Sequence, residues 1–286
     1  MEGAIQFLLS WKAVLVGLWL AAFFLAERLR PAAHPPERPR NGEADFGLKR
    51  LGRNATLWLG NAGLSLVFVV PVSLWAASVS LDWRPDWWSG WQGLLIDLII
   101  LDLAIYWWHR ANHEIPFLWR FHEVHHLDRF LDTTTAVRFH FGEVALSAGF
   151  RAVLIILLGL PIVSVLVFEI LVLIAAIFHH SNLRLPRGLE GLLGRVIITP
   201  EIHWVHHRAV RRDTDSNYGT ILSIWDPLFG SRSPTPRRTD MKIGVERRVE
   251  QSLPRLLVRP FLSEAARNTP PLSGPAASPA ESRSRL

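Results

Sequence analysis

The sequence predicts an all-α integral membrane protein with about four or five transmembrane or re-entrant helices. Two observations support this class. Long uncharged runs recur along the chain, and its composition is 49% hydrophobic with a mean hydropathy of +0.20. The sequence contains no cysteine, which excludes disulfides, thiolate catalysis, iron–sulfur clusters and zinc sites of the finger type.

The first two candidate spans are separated by a connection rich in proline and arginine. Ile5 to Ala26 is apolar and long enough to cross a bilayer. Its flank, Glu27-Arg28-Leu29-Arg30, lacks the small-residue cleavage site of a signal peptide, so we expect a retained helix. Pro31 to Arg53 is expected to be irregular and solvated. The second span, Ala55 to Val79, contains Pro71, which predicts a kink.

The remaining apolar runs predict one more span and a helical hairpin. Asp82 to Trp91 is a tryptophan-dense loop with the composition of an interfacial belt. Gln92 to His109 would climb roughly 27 Å, nearly the hydrocarbon thickness. Glu143 to Phe178 is divided by Gly159-Leu-Pro161, which predicts a hairpin. Its first arm contains Arg151 and is short enough to be re-entrant.

Charge predicts the orientation of these spans. With the N-terminus outside, the arginine-rich connection, the histidines and the basic C-terminal part fall on one side, which the positive-inside rule makes the cytoplasm. The net charge of +6 fits this bias, and no basic helix interleaved with aromatics points to nucleic acid. We therefore expect a protein of a bacterial-type inner membrane or equivalent. Its expected parts are N-terminal helices and linker over 1–90, a central domain over 91–231, and a C-terminal extension over 232–286 that is largely a disordered tail.

Histidines form three clusters with repeated spacing. Residues three and four apart on a helix share one face, so each cluster is expected to direct its imidazoles at a common point. Imidazole is a usual ligand of zinc, copper, iron and nickel. Together the clusters predict a metal centre in a cytoplasmic helical cap. They are His109-Arg-Ala-Asn-His113, His122-Glu-Val-His125-His126 and His203-Trp-Val-His206-His207.

One motif favours a different chemistry. His122-Glu123-Val124-His125-His126 matches H-E-x-x-H, the helix of zinc hydrolases in which the glutamate is the general base. A catalytic zinc needs three protein ligands, whereas this chain offers at least eight clustered histidines, a number that suits two metals. The last cluster also has Trp204 where that glutamate would be. Both facts argue against a membrane zinc hydrolase, which we keep as the alternative function. Composition alone does not choose among zinc, iron and copper.

The clusters and their surroundings also resemble a known family. The segments concerned are Asp102-Leu-Ala-Ile-Tyr-Trp-Trp-His109-Arg-Ala-Asn-His113, Leu118-Trp-Arg-Phe-His122-Glu-Val-His125-His126, Arg138-Phe-His140, His180-Ser-Asn182, His203-Trp-Val-His206-His207, Asn217-Tyr218-Gly219 and Trp225-Asp226-Pro-Leu-Phe229-Gly230. In this order, over roughly residues 90 to 231, they resemble the fatty acid hydroxylase/sterol desaturase superfamily of membrane-bound histidine-box enzymes. The resemblance implies an O2-dependent lipid hydroxylase or desaturase. Such an enzyme uses a histidine-ligated di-iron centre to oxidise a C–H bond of a fatty acyl, sterol or related lipid.

The resemblance also implies roles for individual residues. The box ligands to the two iron ions would be His109, His113, His122, His125, His126, His203, His206 and His207. His180 matches a further family histidine and His140 is an additional candidate, whereas His179 would point about 100° away from His180 on a helix.

Two residues that are not histidines are candidates for the catalytic site. Asp102 lies two helical turns before His109 on nearly the same face, so it is the candidate to orient a ring, with Asp128 and Glu123 next. Asn182, which belongs to the His180-Ser-Asn182 segment, is the second.

Electrons for such a reaction would come from outside the chain. The sequence has no glycine-rich dinucleotide motif after a strand and no haem or iron–sulfur signature, which implies a separate reductase or electron-transfer protein. The expected partners are therefore this donor, a lipid substrate, O2 as co-substrate and the membrane, without nucleic acid. An arginine-rich surface suits an acidic donor and an anionic lipid equally, at about 1 kcal/mol per basic residue near a membrane. It comprises Arg208, Arg211, Arg212, Arg237 and Arg238.

Overall fold

Residues 2–35 and 47–268 are described by the computed structural model, and within these ranges it contains helices, connections and two isolated β-bridges. Five helical stretches are long and apolar enough to cross a membrane. This confirms the expected all-α class and the expected number of spans. The disordered tail expected over 269–286 lies outside the described residues. The spans are Ile5–Leu29, Leu48–Ser78, Gly90–Glu114, Phe141–Leu158 and Ile162–His180.

The helices are numbered along the chain. The spans are α1 (Glu2–Leu29), then α2 (Leu48–Leu64), a π-helical segment (Ser65–Val69) and α3 (Val70–Ser78), then α4 (Gly90–Glu114), α6 (Phe141–Leu158) and α7 (Ile162–His180). The shorter helices are α5 (Pro116–His126), a 3-10 helix (Thr133–Val137), α8 (Arg187–Leu193), α9 (Pro200–His206), α10 (Arg211–Thr214), α11 (Trp225–Leu228), α12 (Leu253–Val258) and α13 (Glu264–Asn268).

The π-helical segment accounts for the irregularity expected at Pro71. Proline has no backbone N–H, so the carbonyl of Val67, four residues earlier, loses its helical partner. Val67 lies inside the π-helical segment, where the hydrogen-bond register shifts. The second span therefore continues across Pro71 as one long helix with a local change of winding.

Successive spans run in opposite directions, so one end of each reaches the same layer. We call this layer, residues 115–140 and 181–268, the cap. The loop over 79–89 and the turn over 159–161 lie at the other end of the spans. The contacts that tie the spans to the cap are Glu27 with Thr133 for α1, Arg50 with Asp128 for α2, Glu143 with His122 for α6 and the rings of His179 and His203 for α7.

The polar residues of the far end are paired with one another. Asp97 of α4 accepts hydrogen bonds from Arg84, from the Trp88 indole and from Ser164. Burying this carboxylate is thus offset by three donors, one of them charged. Gly159, in the left-handed conformation at φ +58, ends α6, and a Cβ there would lie 2.6 Å from the carbonyl oxygen of Leu81.

Packing among the spans leaves a gap between α6 and α7. The residues of α6 pack mainly on α3, whereas α7 packs mainly on α1. Phe23 of α1 meets Phe178 of α7 edge to face at 5.8 Å between ring centroids. The two arms of the hairpin are therefore held by different neighbours, and the space between them is part of a cavity described below.

The connection over residues 31–53 was expected to be irregular and solvated, but its C-terminal end is helical and partly buried. Helix α2 begins at Leu48, and Arg50 is buried at 2% exposure. Its guanidinium donates to Asp128 at 2.7 and 2.8 Å and to Asp132 at 2.8 and 3.1 Å. Burial opposes ionisation of Asp128, but the charge of Arg50 outweighs it and holds the pKa of this carboxyl below its usual range. An arginine among polar and proline residues looked solvent-exposed because its partners lie about eighty residues away.

The sequence predicted a C-terminal extension over 232–286 that is largely a disordered tail. Its described part, residues 232–268, packs on the rest of the cap. Arg259 donates to both carboxylate oxygens of Glu123 at 2.9 Å, and Arg138 donates to Glu250 at 2.8 Å. The Arg237 guanidinium lies 3.9 Å from the centre of the Trp204 ring. These long-range charge pairs replace the apolar runs that the sequence lacks here.

We predict that Arg50→Leu strongly destabilises the cap. The substitution leaves the buried carboxylates of Asp128 and Asp132 without their main counter-charge, a loss of about 3–5 kcal/mol for a broken buried pair. Thermal unfolding of the purified protein in detergent measures it. Arg187→Leu, at an exposed site on α8, is the matched control and should leave the unfolding temperature unchanged. Equal unfolding temperatures for the two variants would contradict this assignment.

Candidate metal centre

Nine histidines gather in the described structure into two groups. In each group one nitrogen from every ring lies within 4.8 Å of the others. All nine rings are buried except that of His109, which is partly buried. The five-histidine group is His109, His113, His122, His126 and His206, and the four-histidine group is His125, His180, His203 and His207.

Each H-x2-H-H motif divides its histidines between the two groups, which corrects the expectation of one common point per cluster. On α5, His122 and His126 belong to the five-histidine group and His125 to the other. At α9, His203 and His207 belong to the four-histidine group, and His206 to the first. Positions i and i+4 lie nearly one above the other on a helix, whereas adjacent positions are about 100° apart. The H-x2-H-H spacing therefore lets each motif place histidines in both groups.

Backbone carbonyls orient four of the rings. A carbonyl oxygen only accepts, so the nearby Nδ1 of each ring must carry the proton and donate. In a neutral imidazole the Nε2 then holds a lone pair, and in these four rings it faces the group. The pairs are His109 with Tyr218 at 2.8 Å, His125 with Arg138 at 3.2 Å, His180 with Ala176 at 2.8 Å, and His206 with Ser216 at 2.6 Å.

Two of these lone pairs face each other directly. His125 Nε2 and His180 Nε2 lie 3.1 Å apart, and neither carries a proton if both Nδ1 atoms donate to carbonyls. Such an approach is repulsive without a cation between the nitrogens. Other ring nitrogens are buried without any partner, among them His113 Nε2 and His206 Nε2. Unpaired buried acceptors are costly, so the donor set fits bound metal ions.

The charge state of the rings suits metal binding. Burial, together with neighbouring histidines, lowers the pKa of the cap histidines well below the usual value, so they are neutral near pH 7. Neutral imidazole is the form that binds a metal. The histidines concerned are His125, His126, His203, His206 and His207.

Two carboxylates support rings of the five-histidine group. Glu143 lies 2.7 Å from His122 Nδ1, and Asp215 lies 3.4 Å from His113 Nδ1. A carboxylate on the outer nitrogen fixes the tautomer and makes the ring a better ligand. Neither carboxylate was predicted from the sequence, because Glu143 opens an apolar run and Asp215 follows an arginine pair, and no local spacing relates either to the histidine that it contacts.

Two histidines weighed as metal ligands in the sequence, His140 and His179, lie outside both groups. His140 Nδ1 accepts from the Gly142 N–H at 2.9 Å, and its Nε2 donates to the Leu257 carbonyl at 3.0 Å. Because both nitrogens are engaged, His140 caps the start of α6 and does not serve as a ligand in this conformation. His179 packs against His203 with ring centroids 4.1 Å apart, but belongs to neither group.

Asp102 does not orient a histidine ring. Its carboxylate accepts from the backbone N–H groups of Ile221 and Leu222, at 3.2 and 3.1 Å, and from the Trp225 indole at 2.8 Å. These bonds fasten the 221–225 loop to α4, close to the carbonyl of Tyr218. Asp102 therefore acts on the site only through that loop.

Asn182 and Asp128 likewise serve the architecture. The Asn182 side chain accepts from the Ala33 N–H at 3.0 Å and donates to the Ala33 carbonyl at 2.8 Å. It thus joins the end of α7 to the segment after α1. The carboxylate of Asp128 is taken up by Arg50, as described above. Neither side chain contacts a ring of the two groups.

The glutamate of the H-E-x-x-H match is not available as a general base. Both oxygens of Glu123 accept from Arg259 at 2.9 Å, and the side chain is 1% exposed. On α5 it also points about 100° away from His122. The zinc hydrolase alternative therefore loses the residue that its mechanism requires.

A cavity of about 370 Å³ leads from the histidines between the spans. It is bordered by His109, His122, His125, His180 and His203 at the cap. Trp58, Ile105, Trp108, Phe168, Val172 and Leu173 make its walls largely apolar. An apolar cavity that ends on buried imidazoles suits a lipid chain next to a metal.

Residues 94–231 match the profile of the fatty acid hydroxylase family. This segment, just under half of the chain, is thus similar to the fatty acid hydroxylase family. The match contains all nine histidines of the two groups. The chain is 29% identical to an ornithine lipid hydroxylase of Rhizobium tropici, over 88% of this chain and 76% of the relative.

Other relatives are also oxygenases. An alkylglycerol monooxygenase of Danio rerio is 34% identical over 52% of this chain and 32% of its own length. A cholesterol 25-hydroxylase of Rattus norvegicus is 26% identical over 63% of this chain and 61% of its own length. No solved structure gives a significant match. The family and these relatives confirm the expected class, a membrane oxidoreductase of the hydroxylase type, and do not support a zinc hydrolase.

We predict that the purified protein binds two metal ions per chain, one in each histidine group. His125→Ala and His206→Ala each remove a ligand from one group, so elemental analysis should show about half the metal or less. His140→Ala is the matched control, because His140 lies outside both groups and the metal content should stay at the wild-type value. A single ion that survives both ligand substitutions would contradict the two-centre arrangement.

We predict that Glu143→Gln weakens metal binding in the five-histidine group by about 10–100-fold, the range found when a carboxylate behind a ligand is removed. The amide keeps the shape but no longer favours a proton on His122 Nδ1. Competition with a chelator measures the affinity. Glu114→Gln, which alters an exposed carboxylate paired with Arg110, provides the comparison, and an equal loss in both variants would contradict a specific role for Glu143.

Proposed function

We propose that this chain is a membrane-bound, O2-dependent lipid hydroxylase whose two histidine groups each hold one iron ion. The observation that carries the proposal is the pair of buried, all-imidazole groups at the inner end of an apolar cavity. Imidazole binds several metals, but zinc has no redox chemistry and so cannot serve an oxygenase. The family match and the activities for which the relatives are named support hydroxylation rather than desaturation.

Iron bound at both groups supplies the redox chemistry that inserts one atom of O2 into a C–H bond. The overall reaction consumes the lipid R–H, O2, two electrons and two protons, and yields R–OH and water. Two electrons must therefore reach the site for each lipid oxidised.

The chain itself fixes geometry and excludes water. Carbonyls of the cap hold the protons of four rings on their outer nitrogens, so the inner nitrogens remain free to bind. Glu143 holds the proton at His122 Nδ1. The apolar walls around Ile105, Phe168 and Val172 would bind a hydrocarbon chain and keep bulk water away from the reacting carbon.

We propose that the site lies on the cytoplasmic face and receives electrons from a separate protein. The far end of the spans has a single arginine, Arg84, which pairs with Asp97, so the positive-inside rule favours the cap as the cytoplasmic part. A surface cavity of about 340 Å³ borders Trp119 and is lined by three arginines and two glutamates, Arg211, Arg247, Arg248, Glu123 and Glu246. The Trp119 ring lies 5.0 Å from that of His113, so a donor docked at this surface would lie close to the five-histidine group.

An ornithine lipid is the first substrate that we would test. A relative that this chain covers over 76% of its length carries that name, and 88% of the chain takes part in the similarity. The proposed organisation keeps the three expected parts, with N-terminal spans over 1–90, the catalytic domain over 91–231 and an extension over 232–286. In that arrangement the extension supports α5 through Arg259.

We predict that cells producing the chain accumulate a lipid heavier by one oxygen atom, detected by mass spectrometry of total lipid extracts. His125→Ala and His206→Ala should abolish the product, because each removes a ligand of one group. His140→Ala should retain it. A product lighter by two hydrogen atoms would show that the reaction is desaturation and not hydroxylation. An unchanged lipid profile with an iron-loaded, reduced enzyme would refute the proposed activity.

A further inference from the structure

An ion pair lies inside the spans, where charges are rare and functional when present. Arg151 is near the middle of α6 and Glu169 is near the middle of α7, and Arg151 Nη2 lies 3.3 Å from Glu169 Oε1. Both side chains border the cavity that ends on the histidines. The pair therefore shares one space with the metal centre.

This pair is incompletely satisfied. Arg151 Nε is buried without a hydrogen-bond partner in the described structure, and the single contact with Glu169 is long. The Glu169 side chain is 36% exposed towards its surroundings. A guanidinium offers five N–H donors and a carboxylate about four acceptor sites, so most of the bonding capacity of both groups is free for a ligand.

A polar stripe connects the pair with the five-histidine group. Glu143, Ser147 and Arg151 recur every four residues on α6, and all three line the cavity. Glu143 contacts His122, and the eight residues to Arg151 span about 12 Å along the helix axis. One lipid molecule can therefore reach Arg151 and the histidines at the same time.

We propose that Arg151 and Glu169 form a subsite for a zwitterionic lipid head group, in which Arg151 binds a carboxylate and Glu169 binds an ammonium. The assignment rests on the proposed function, because it takes the cavity to be the place where the lipid lies. It adds that the enzyme selects amino-acid lipids over simple fatty acids and sterols.

The charges of the two residues decide between head groups. A wholly apolar lipid leaves the two groups with only their own 3.3 Å contact and most of their hydrogen-bonding capacity unused in a medium of low dielectric constant, which is unfavourable. A fatty acid would satisfy Arg151 but place a second carboxylate beside Glu169. A zwitterion pairs with both and leaves the cavity without net charge, as an ornithine lipid does with its carboxylate and side-chain amine.

Charge exchange separates a binding role from a structural one. In the double variant Arg151→Glu with Glu169→Arg, the ion pair between α6 and α7 remains, so the unfolding temperature should stay near that of the wild type. The positions of positive and negative charge are reversed, so a zwitterion of fixed geometry no longer fits. The surface pair Arg238 and Asp240, exchanged in the same way, is the matched control because both residues are exposed.

Binding is measured on the metal-free, full-length protein in maltoside micelles, with a fluorescent ornithine lipid as the probe. We expect the exchanged variant to bind at least about tenfold more weakly, in line with the loss of a charge pairing inside the cavity. The methyl ester of the probe should bind the wild type weakly, and Arg151→Leu should no longer distinguish the ester from the acid. In the same way, Glu169→Gln should no longer distinguish the amine from its N-acetyl derivative.

Each outcome bears on one proposal. Wild-type affinity in the exchanged variant, or equal binding of acid and ester by the wild type, would overturn the subsite. If the wild type binds the probe with these dependences but the iron-loaded, reduced enzyme oxidises no lipid, the subsite stands and the proposed hydroxylase activity fails. If lipid is oxidised equally by the wild type and the exchanged variant, the activity stands and the subsite fails.

Discussion

The structure depends on bringing nine imidazoles together, eight of them buried. Each ring has one nitrogen turned inward, and facing lone pairs such as those of His125 and His180 repel one another. Desolvation prevents the rings from relieving this by taking up protons, because it disfavours the charged form. The protein must therefore hold the rings in place by interactions on their outer side until a metal binds.

Those outer interactions explain the buried charges of the cap. The segment from His122 to Asp128 carries three histidines of the two groups, and it is held at two points. Glu123 is fixed by Arg259 from the C-terminal extension, and Asp128 by Arg50 from the second span. A buried ion pair adds little net stability, but removing one partner is strongly unfavourable. Such pairs consequently position α5 more firmly than apolar contacts of similar size, which tolerate sliding.

How much the sequence could predict depends on the range of the interaction. Local spacing identified the spans and the eight box histidines, since helical periodicity is a short-range property. It assigned each cluster to one point, although adjacent positions such as His125 and His126 diverge by about 100° and reach different groups. The partners of Glu143 and Arg50 lie about twenty and eighty residues away, and no pattern within a helix encodes such contacts.

For Asp102, the sequence predicted the correct face of α4 but the wrong hydrogen-bond partner. It lies on the same side of α4 as His109, as the seven-residue spacing predicted. The 221–225 loop reaches its carboxylate first, because two free backbone N–H groups and an indole offer three donors there. A neutral ring whose outer nitrogen already donates to the Tyr218 carbonyl has no second proton to offer. The partner of Asp102 was therefore determined by a loop whose position could not be predicted from sequence spacing.

The division of each motif between two groups links the two centres mechanically. Helices α5 and α9 each contribute histidines to both groups, so neither helix can shift without changing both. A metal bound in one group would fix α5 and α9 and would thereby order rings of the other group. The entropy cost of ordering these rings would then arise once rather than twice, which would favour joint loading of the two groups. The separation of the centres follows from the short spacing within H-x2-H-H, and this explains why the same spacing appears on both helices.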